Sequence, residues 1–281
     1  MWFCPPLALN RGGGACAAMK HIPRRRFGQH FLVSPGVIRK IVEAIAPQVG
    51  DTVVEIGPGL GALTAPLLER LDHLHVIEID RDLIARLRER FPSERLTIHA
   101  GDALAFDFSA FKSAGRLKVV GNLPYNISTP LLFHLARYAD QIAEMHFMLQ
   151  KEVVDRMVAA PGSAAYGRLS VMLQYRFRME RLCVVPPGAF DPPPQVDSAL
   201  VRMIPVDFAK APSETVVRDA ALFARLVMAA FSQRRKMLRN TLREFGGEAC
   251  LAKLGIPPTA RAEELSVADF VRLANAVKSD G

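Results

Sequence analysis

Apolar positions along the chain recur at two spacings, and the switches between them mark out the elements. Ser34-Pro35 makes a helix start, and Ile38, Ile41, Val42 and Ile45 follow at helical spacing, predicting a helix that ends by Pro47. Thr52-Val53-Val54-Glu55-Ile56 is a β-branched run and predicts a strand. It leads directly into Gly57-Pro58-Gly59-Leu60-Gly61 and then an amphipathic helix with Leu63, Leu67, Leu68 and Leu71 on its apolar side. Further strands are expected at 74–79, 96–98, 117–120, 145–149, 183–185 and 199–204, with helices around Leu83 to Leu87 and at 130–138, 152–158 and 166–176. Strands alternating with helices predict an α/β domain on a doubly wound, mostly parallel sheet. After Pro205 the periodicity is helical throughout. Residues 219–230 read as a buried helix, and 231–243 as another, with Arg235, Arg239 and Arg243 on one face and Leu238, Leu242 and Phe245 on the other.

Candidate chemistry collects at the ends of the expected strands. A strand, a glycine turn and a helix form a nucleotide-binding unit, although Gly-x-Gly-x-Gly here is not the dinucleotide spacing. Glu78 follows Gly57 by 21 positions, close to the ~20 at which a carboxylate grips ribose hydroxyls. Asp102, just past the next strand, could accept an exocyclic amine. In Asn122-Leu123-Pro124-Tyr125, Asn122 offers a side-chain carbonyl, Pro124 a main-chain carbonyl and Tyr125 a flat face. Two acceptors beside an aromatic plate suit adenine; a plain turn is the alternative, since Asn and Pro are turn residues. In a doubly wound sheet Gly57, Glu78, Asp102 and Asn122 all project from one carboxyl edge. Pro186 to Pro194 carries five prolines in nine residues, a stiff loop in which Phe190 could be a second stacking wall or part of a plain connector.

Composition narrows the partners. The chain has 281 residues, half of them apolar, and a net charge of +8, which favours a polyanion. No run is long and apolar enough to suggest a membrane span. Four scattered cysteines without a Cys-x-x-Cys pair fit a reducing compartment. His73 and His75 share a strand face but lack partner ligands, so a structural pair is expected and no metal site. Residues 1–23, with Pro5-Pro6 and Gly12-Gly13-Gly14, read as a disordered extension for which Met19 would be an alternative start. The cations Arg24, Arg25 and Arg26, and later Arg234, Arg235, Lys236, Arg239 and Arg243, form two runs that would be either solvated faces or a phosphate track.

From about Arg24 to Val277 the sequence resembles the small-subunit (16S-type) rRNA adenine N6,N6-dimethyltransferases of KsgA type. The resemblance rests on Phe27-Gly28-Gln29-His30-Phe31-Leu32, Glu55-Ile56-Gly57-Pro58-Gly59, Glu78-Ile79-Asp80, Gly101-Asp102, Asn122-Leu123-Pro124-Tyr125, Met148 to Val153, Phe190 through Ser198, and Gln233-Arg234-Arg235-Lys236. His30 and Gln195 depart from the residues usual there, Asn and Lys. The resemblance implies a class I, Rossmann-like methyltransferase domain over 24–207 with a seven-stranded sheet. It implies a small all-helical RNA-binding domain over 208–281, S-adenosyl-L-methionine as cofactor and a cytoplasmic setting. Gln29, His30, Leu32, Gly57, Glu78, Asp102 and Asn122 would hold the cofactor; Asn122, Pro124, Tyr125 and Phe190 would present the target. The implied target is a pair of adjacent adenosines in a hairpin loop near the 3′ end of small-subunit rRNA, within an immature subunit and reached by a monomer. Macrolide-resistance rRNA methylases share this architecture. DNA adenine-N6 methyltransferases usually carry Pro where Leu123 stands, and a dehydrogenase is disfavoured by the glycine spacing. A non-catalytic assembly factor is the rival of a different class.

Overall fold

Val53 to Ile56 is buried at every position, as a strand covered on both faces must be. The computed structural model describes residues 29–114, 117–233 and 235–277. Its first elements are β1 (Phe31–Leu32), α1 (Pro35–Ile45), β2 (Val53–Ile56), α2 (Thr64–Leu68), β3 (Leu74–Glu78), α3 (Arg81–Arg90) and β4 (Leu96–Ala100). Next come β5 (Leu117–Asn122), α4 (Ser128–Ala136), β6 (Ile142–Gln150), α5 (Lys151–Met157), α6 (Arg168–Arg176), β7 (Phe177–Val185), β8 (Phe190–Asp191) and β9 (Ser198–Pro205). Four helices close the chain: α7 (Ala220–Ala230), α8 (Leu238–Thr241), α9 (Gly247–Lys253) and α10 (Val267–Ala276).

Seven strands join in the order β4-β3-β2-β5-β6-β9-β7. The pairs from β4 to β6 are parallel, and β9 joins β6 and β7 antiparallel. This is the mostly parallel sheet expected from the alternating pattern. Helices α1, α2 and α3 send Ile41, Ile45, Leu67 and Leu87 onto one face. Helices α4, α5 and α6 send Leu131, Leu135, Met157 and Leu173 onto the other.

The chain runs outward from β2 in both directions, to β3 on one side and β5 on the other. The carboxyl ends of β2 and β5 therefore flank the crevice where ligands bind in such sheets. The two strands meet closely there. A Cβ built on Gly121 would lie 2.4 Å from the main-chain oxygen of Ile56, so no side chain fits. Position 121 is glycine because β2 and β5 must touch immediately below the crevice.

Two features depart from the sequence expectations. Before α1, where the sequence pattern offers no element, β1 pairs antiparallel with β8, Phe31 opposite Asp191 and Leu32 opposite Phe190. Strands of two residues leave no periodicity to read. The second concerns 231–243, which is not one helix. α7 stops at Ala230, α8 covers only Leu238–Thr241, and a 3-10 turn takes Arg243–Phe245. The Leu238 amide donates to the carbonyl of Ala260 at 2.8 Å instead of to a preceding turn, and Leu238 and Leu242 anchor in the apolar cluster of the closing helices. That docking breaks the helix, so Arg235, Arg239 and Arg243 do not share one helical face, although all three are exposed. The same cluster takes Tyr166 and Val171 from the α6 region, joining the closing helices to the sheet.

Gly121→Ala forces β2 and β5 apart. Overpacking of this kind costs about 1–3 kcal/mol, so the expected outcome is a clear drop in melting temperature by calorimetry. An unchanged melting temperature would contradict so close an approach of the two strands.

Candidate active site

A cavity of about 290 Å3 opens at the carboxyl ends of β2, β3 and β5, with Gly57, Glu78, Asp102, Asn122 and Tyr125 on its walls. Its floor is the turn after β2. Gly57 and Gly59 adopt φ of +68° and +58°, which side chains other than glycine's rarely tolerate. The Phe31 ring covers the turn, since a Cβ on Gly59 would stand 3.1 Å from two of its carbons. At Gly57 nothing but the main-chain oxygen of Asn122, 3.9 Å off, stands near a Cβ position, so a ligand can lie against main chain there.

Glu78, at the end of β3, is 6% exposed. Its Oε1 accepts from the amides of Ile79 and Asp80, both at 2.9 Å, and its Oε2 accepts one long bond of 3.4 Å from Gly59 N. Oε2 is therefore the oxygen with capacity left for a ligand hydroxyl. Burial pushes the carboxyl above its usual range, tempered by those amides. Asp80 is occupied structurally: Oδ1 caps α3 through Asp82 N at 3.0 Å, and Oδ2 accepts from Gln29 Nε2 at 3.2 Å. Gln29 lines the cavity with its amide tied to that carboxylate. Asp102 is exposed at the mouth, its Oδ1 accepting from Leu104 N at 2.9 Å.

At the end of β5 the Asn122 amide nitrogen donates to the main-chain carbonyl of His30 at 2.8 Å. That carbonyl can only accept, so the donor end of the amide is engaged and Oδ1 remains its acceptor, on a residue that lines the cavity. Pro124 O accepts from Ile127 N at 3.2 Å in a turn and keeps a second lone pair. The Tyr125 hydroxyl shares a 2.6 Å hydrogen bond with Ser198 Oγ, which holds the ring upright. Asn122, Pro124 and Tyr125 thus come together as expected from their spacing, beside Gly57 and Glu78.

Phe190 does not join them. It is 3% exposed and packed with Leu32 and Ile41 in the core under α1, so it has no free face for a base. Pairing of β8 with β1 turns the ring inward; its part is to anchor the proline loop. Leu32, 5% exposed, reaches the cavity wall from the same pair. Arg235, Lys236, Arg239 and Arg243 are exposed, while Arg24, Arg25, Arg26 and Arg234 lie outside the described residues. His75 has the expected neighbour His73, and His99 from β4 adds a ring whose Nε2 is 3.3 Å from His75 Nδ1. Burial first, then both neighbours, hold His75 down at about 4. No group of three or more His, Cys, Asp or Glu among the described residues could hold a metal ion.

Two site residues went unmarked in the sequence. Ser198 is 73 positions from Tyr125, and nothing local connects them. Glu55 did carry a signal, an acid inside an otherwise apolar strand. It is 2% exposed, lines the cavity and accepts from the Thr64 hydroxyl at 2.7 Å. Burial raises its carboxyl to about 7, opposed by that hydrogen bond and assisted by the nearby charge of Glu78.

Comparison with known proteins places this geometry among its relatives. The family model for ribosomal RNA adenine dimethylase matches residues 20–279. The ribosomal RNA small subunit methyltransferase A of Thiobacillus denitrificans is 64% identical over 250 residues, 89% of this chain and 96% of its own. That of Chromobacterium violaceum is 62% identical over 263 residues, 93% of this chain and 98% of its own. Among solved structures, a dimethyladenosine transferase from Plasmodium falciparum superposes with a TM-score of 0.74 at 28% identity, covering 87% of this chain and 96% of that one. The 23S rRNA methyltransferase ErmE, at 23% identity and a TM-score of 0.67 over 88% of this chain and 99% of its own, shares the fold.

The raised Glu55 carboxyl gives a pH signature. Its folded value of about 7 lies above the ordinary 4.5, so its contribution is fully present below about pH 4.5 and lost as pH rises through about 7. Glu55→Gln should therefore match the parent protein's stability near pH 5 and gain on it near pH 8, by up to about 3 kcal/mol. Urea melts at both values check this; an equal difference at both would contradict it.

Proposed function

The chain belongs to the ribosomal RNA adenine dimethylase family, and from that premise we propose how this site performs the reaction. The protein is an S-adenosylmethionine-dependent methyltransferase that dimethylates N6 of adenosines in small-subunit rRNA. Its target in our reading is a pair of adjacent adenosines in a hairpin loop near the 3′ end of that RNA. We place the reaction on an immature small subunit, in the cytoplasm, and carried out by a monomer. Among the described residues no helix is long and apolar enough to cross a membrane.

The residues present suit S-adenosylmethionine. Gly57 leaves main chain open to a ligand, Glu78 Oε2 has acceptor capacity for ribose hydroxyls, and Asp102 can accept the adenine amine with the oxygen not bonded to Leu104 N. Leu32 and the main chain around His30 close the cavity from the β1 side. Two buried acids, Glu55 and Glu78, suit a cationic ligand. Bound there, the cofactor supplies a methyl group already made electrophilic by its sulfonium.

The chain's own work lies with the acceptor. The N6 lone pair of adenine is delocalised into its ring, so the amine is a poor nucleophile. Asn122 Oδ1 and Pro124 O accept its two N–H bonds, favour a pyramidal nitrogen and so restore the lone pair. Tyr125 holds the ring by stacking. The proton released after each transfer goes to water, because an alkylated arylammonium is strongly acidic, and no general base is assigned. The base must leave its stack to reach this loop, which favours a single-stranded or hairpin target. Arg235, Lys236, Arg239 and Arg243, all exposed, are proposed to bind phosphates. The observation that carries this reading is the hydrogen bond from Asn122 Nδ2 to the His30 carbonyl, which engages the donor end of the amide and leaves Oδ1 to accept.

Labelled S-adenosylmethionine and unmethylated small subunits test it. The expected product is N6,N6-dimethyladenosine at two neighbouring positions, lost in Asn122→Ala, which retains cofactor binding. Label on another base, or binding of subunits without transfer, would overturn the assignment. Replacing Arg235, Lys236, Arg239 and Arg243 with Ser should lower the slope of log affinity against log salt by about 0.7 to 0.9 for each phosphate no longer neutralised. An unchanged slope would return these cations to a solvated surface.

A further inference from the structure

His30 stands where three parts of the acceptor half of the site meet. Its ring lies against Tyr125, with centroids 5.7 Å apart and planes 27° from parallel. Its Nδ1 is 2.8 Å from the main-chain oxygen of Pro192 in the proline loop. A carbonyl can only accept, so Nδ1 carries the hydrogen and donates. Its own carbonyl takes the Asn122 amide at 2.8 Å. The following residue, Phe31, pairs with Asp191, so strand and loop hold this carbonyl in place together.

We propose that His30 is a positioning residue for the target base: its ring backs one face of Tyr125, leaving the other as the platform for the purine, and its hydrogen bond to Pro192 O sets the ring there. The proposal rests on the assignment of Asn122, Pro124 and Tyr125 to the acceptor base, and adds a role in determining how many methyl groups are transferred. The first transfer starts from an amine with two N–H bonds, matched by Asn122 Oδ1 and Pro124 O. It replaces one N–H hydrogen by methyl, and the proton leaves to water. The monomethylated amine then has a single N–H to share between two acceptors, so the second transfer depends more heavily on stacking to hold the base. Loosening the Tyr125 platform therefore slows the second step more than the first.

Single-turnover methylation of small subunits by the parent protein, His30→Ala, His30→Phe, Tyr125→Ala and the double variant His30→Ala/Tyr125→Ala tests this, with cofactor affinity measured separately by calorimetry. With cofactor at saturation, His30→Ala should slow transfer about tenfold and raise the share of monomethyladenosine in the product. His30→Phe keeps a ring on Tyr125 and should recover most of the dimethyl product. The double variant should be no slower than Tyr125→Ala, because both act through one platform. Parent-like rate and product ratio in His30→Ala would overturn the proposal. So would a His30→Phe as poor as His30→Ala, or independent losses in the double variant. If the parent protein itself places no methyl on adenine N6, the reading of the site falls too, and that outcome is distinct from all the others.

Discussion

A hydrogen bond between residues 92 positions apart, from the Asn122 amide to the carbonyl of His30, decides what the site can do. An amide can be turned either way, and each orientation presents opposite chemistry. With Nδ2 engaged, the cavity meets an acceptor; reversed, it would meet a donor facing another donor on the substrate. The bond exists because β1 pairs with β8 and fixes the His30 main chain, and because β5 ends one residue after a glycine that lets it lie against β2. The two-residue strand pair, although a small part of the fold, thus sets the polarity of the reaction centre.

Much of this arrangement was readable from the sequence. Continuous apolar runs in the parallel strands and the glycine turn after Ile56 give the sheet its order of elements. The distance from Gly57 to Glu78, and Asn122 at the end of a strand, mark the cavity wall. The parts that were not readable have particular causes. β1 and β8 are too short for a period, and their pairing joins distant segments. Phe190 reads as a raised ring between prolines, yet the same pairing turns it into the core. The stretch 231–243 satisfies a helical pattern, but the Leu238 amide finds Ala260 instead, a tertiary contact that local spacing cannot report. Ser198 supports Tyr125 from a strand that sequence places far away.

The cavity's electrostatics follow from placing acids where water is scarce. Glu55 and Glu78 both lie below 10% exposure, on adjacent strands, and burial raises both carboxyls. Main-chain amides and the Thr64 hydroxyl meet part of that demand. A ligand bringing hydroxyl donors and positive charge would meet more of it, which is the character the family's cofactor has. Outside the cavity Arg235, Lys236, Arg239 and Arg243 are exposed, where the proposed reading has them meet RNA phosphates. In the proposed reading the site separates two tasks: the side from β2 to β4 would hold a charged nucleoside, and the loop after β5 a neutral base.

The most direct test of the central claim is to keep the shape of Asn122 and remove its donor. Asn122→Asp retains an oxygen on the cavity side but places a second oxygen against the His30 carbonyl, where it repels. With cofactor bound at saturation, single-turnover transfer to small subunits should fall by about a hundredfold or more, with the melting temperature little changed. A rate within a few-fold of the parent protein would show that the amide's orientation does not govern the reaction, and the account would fail.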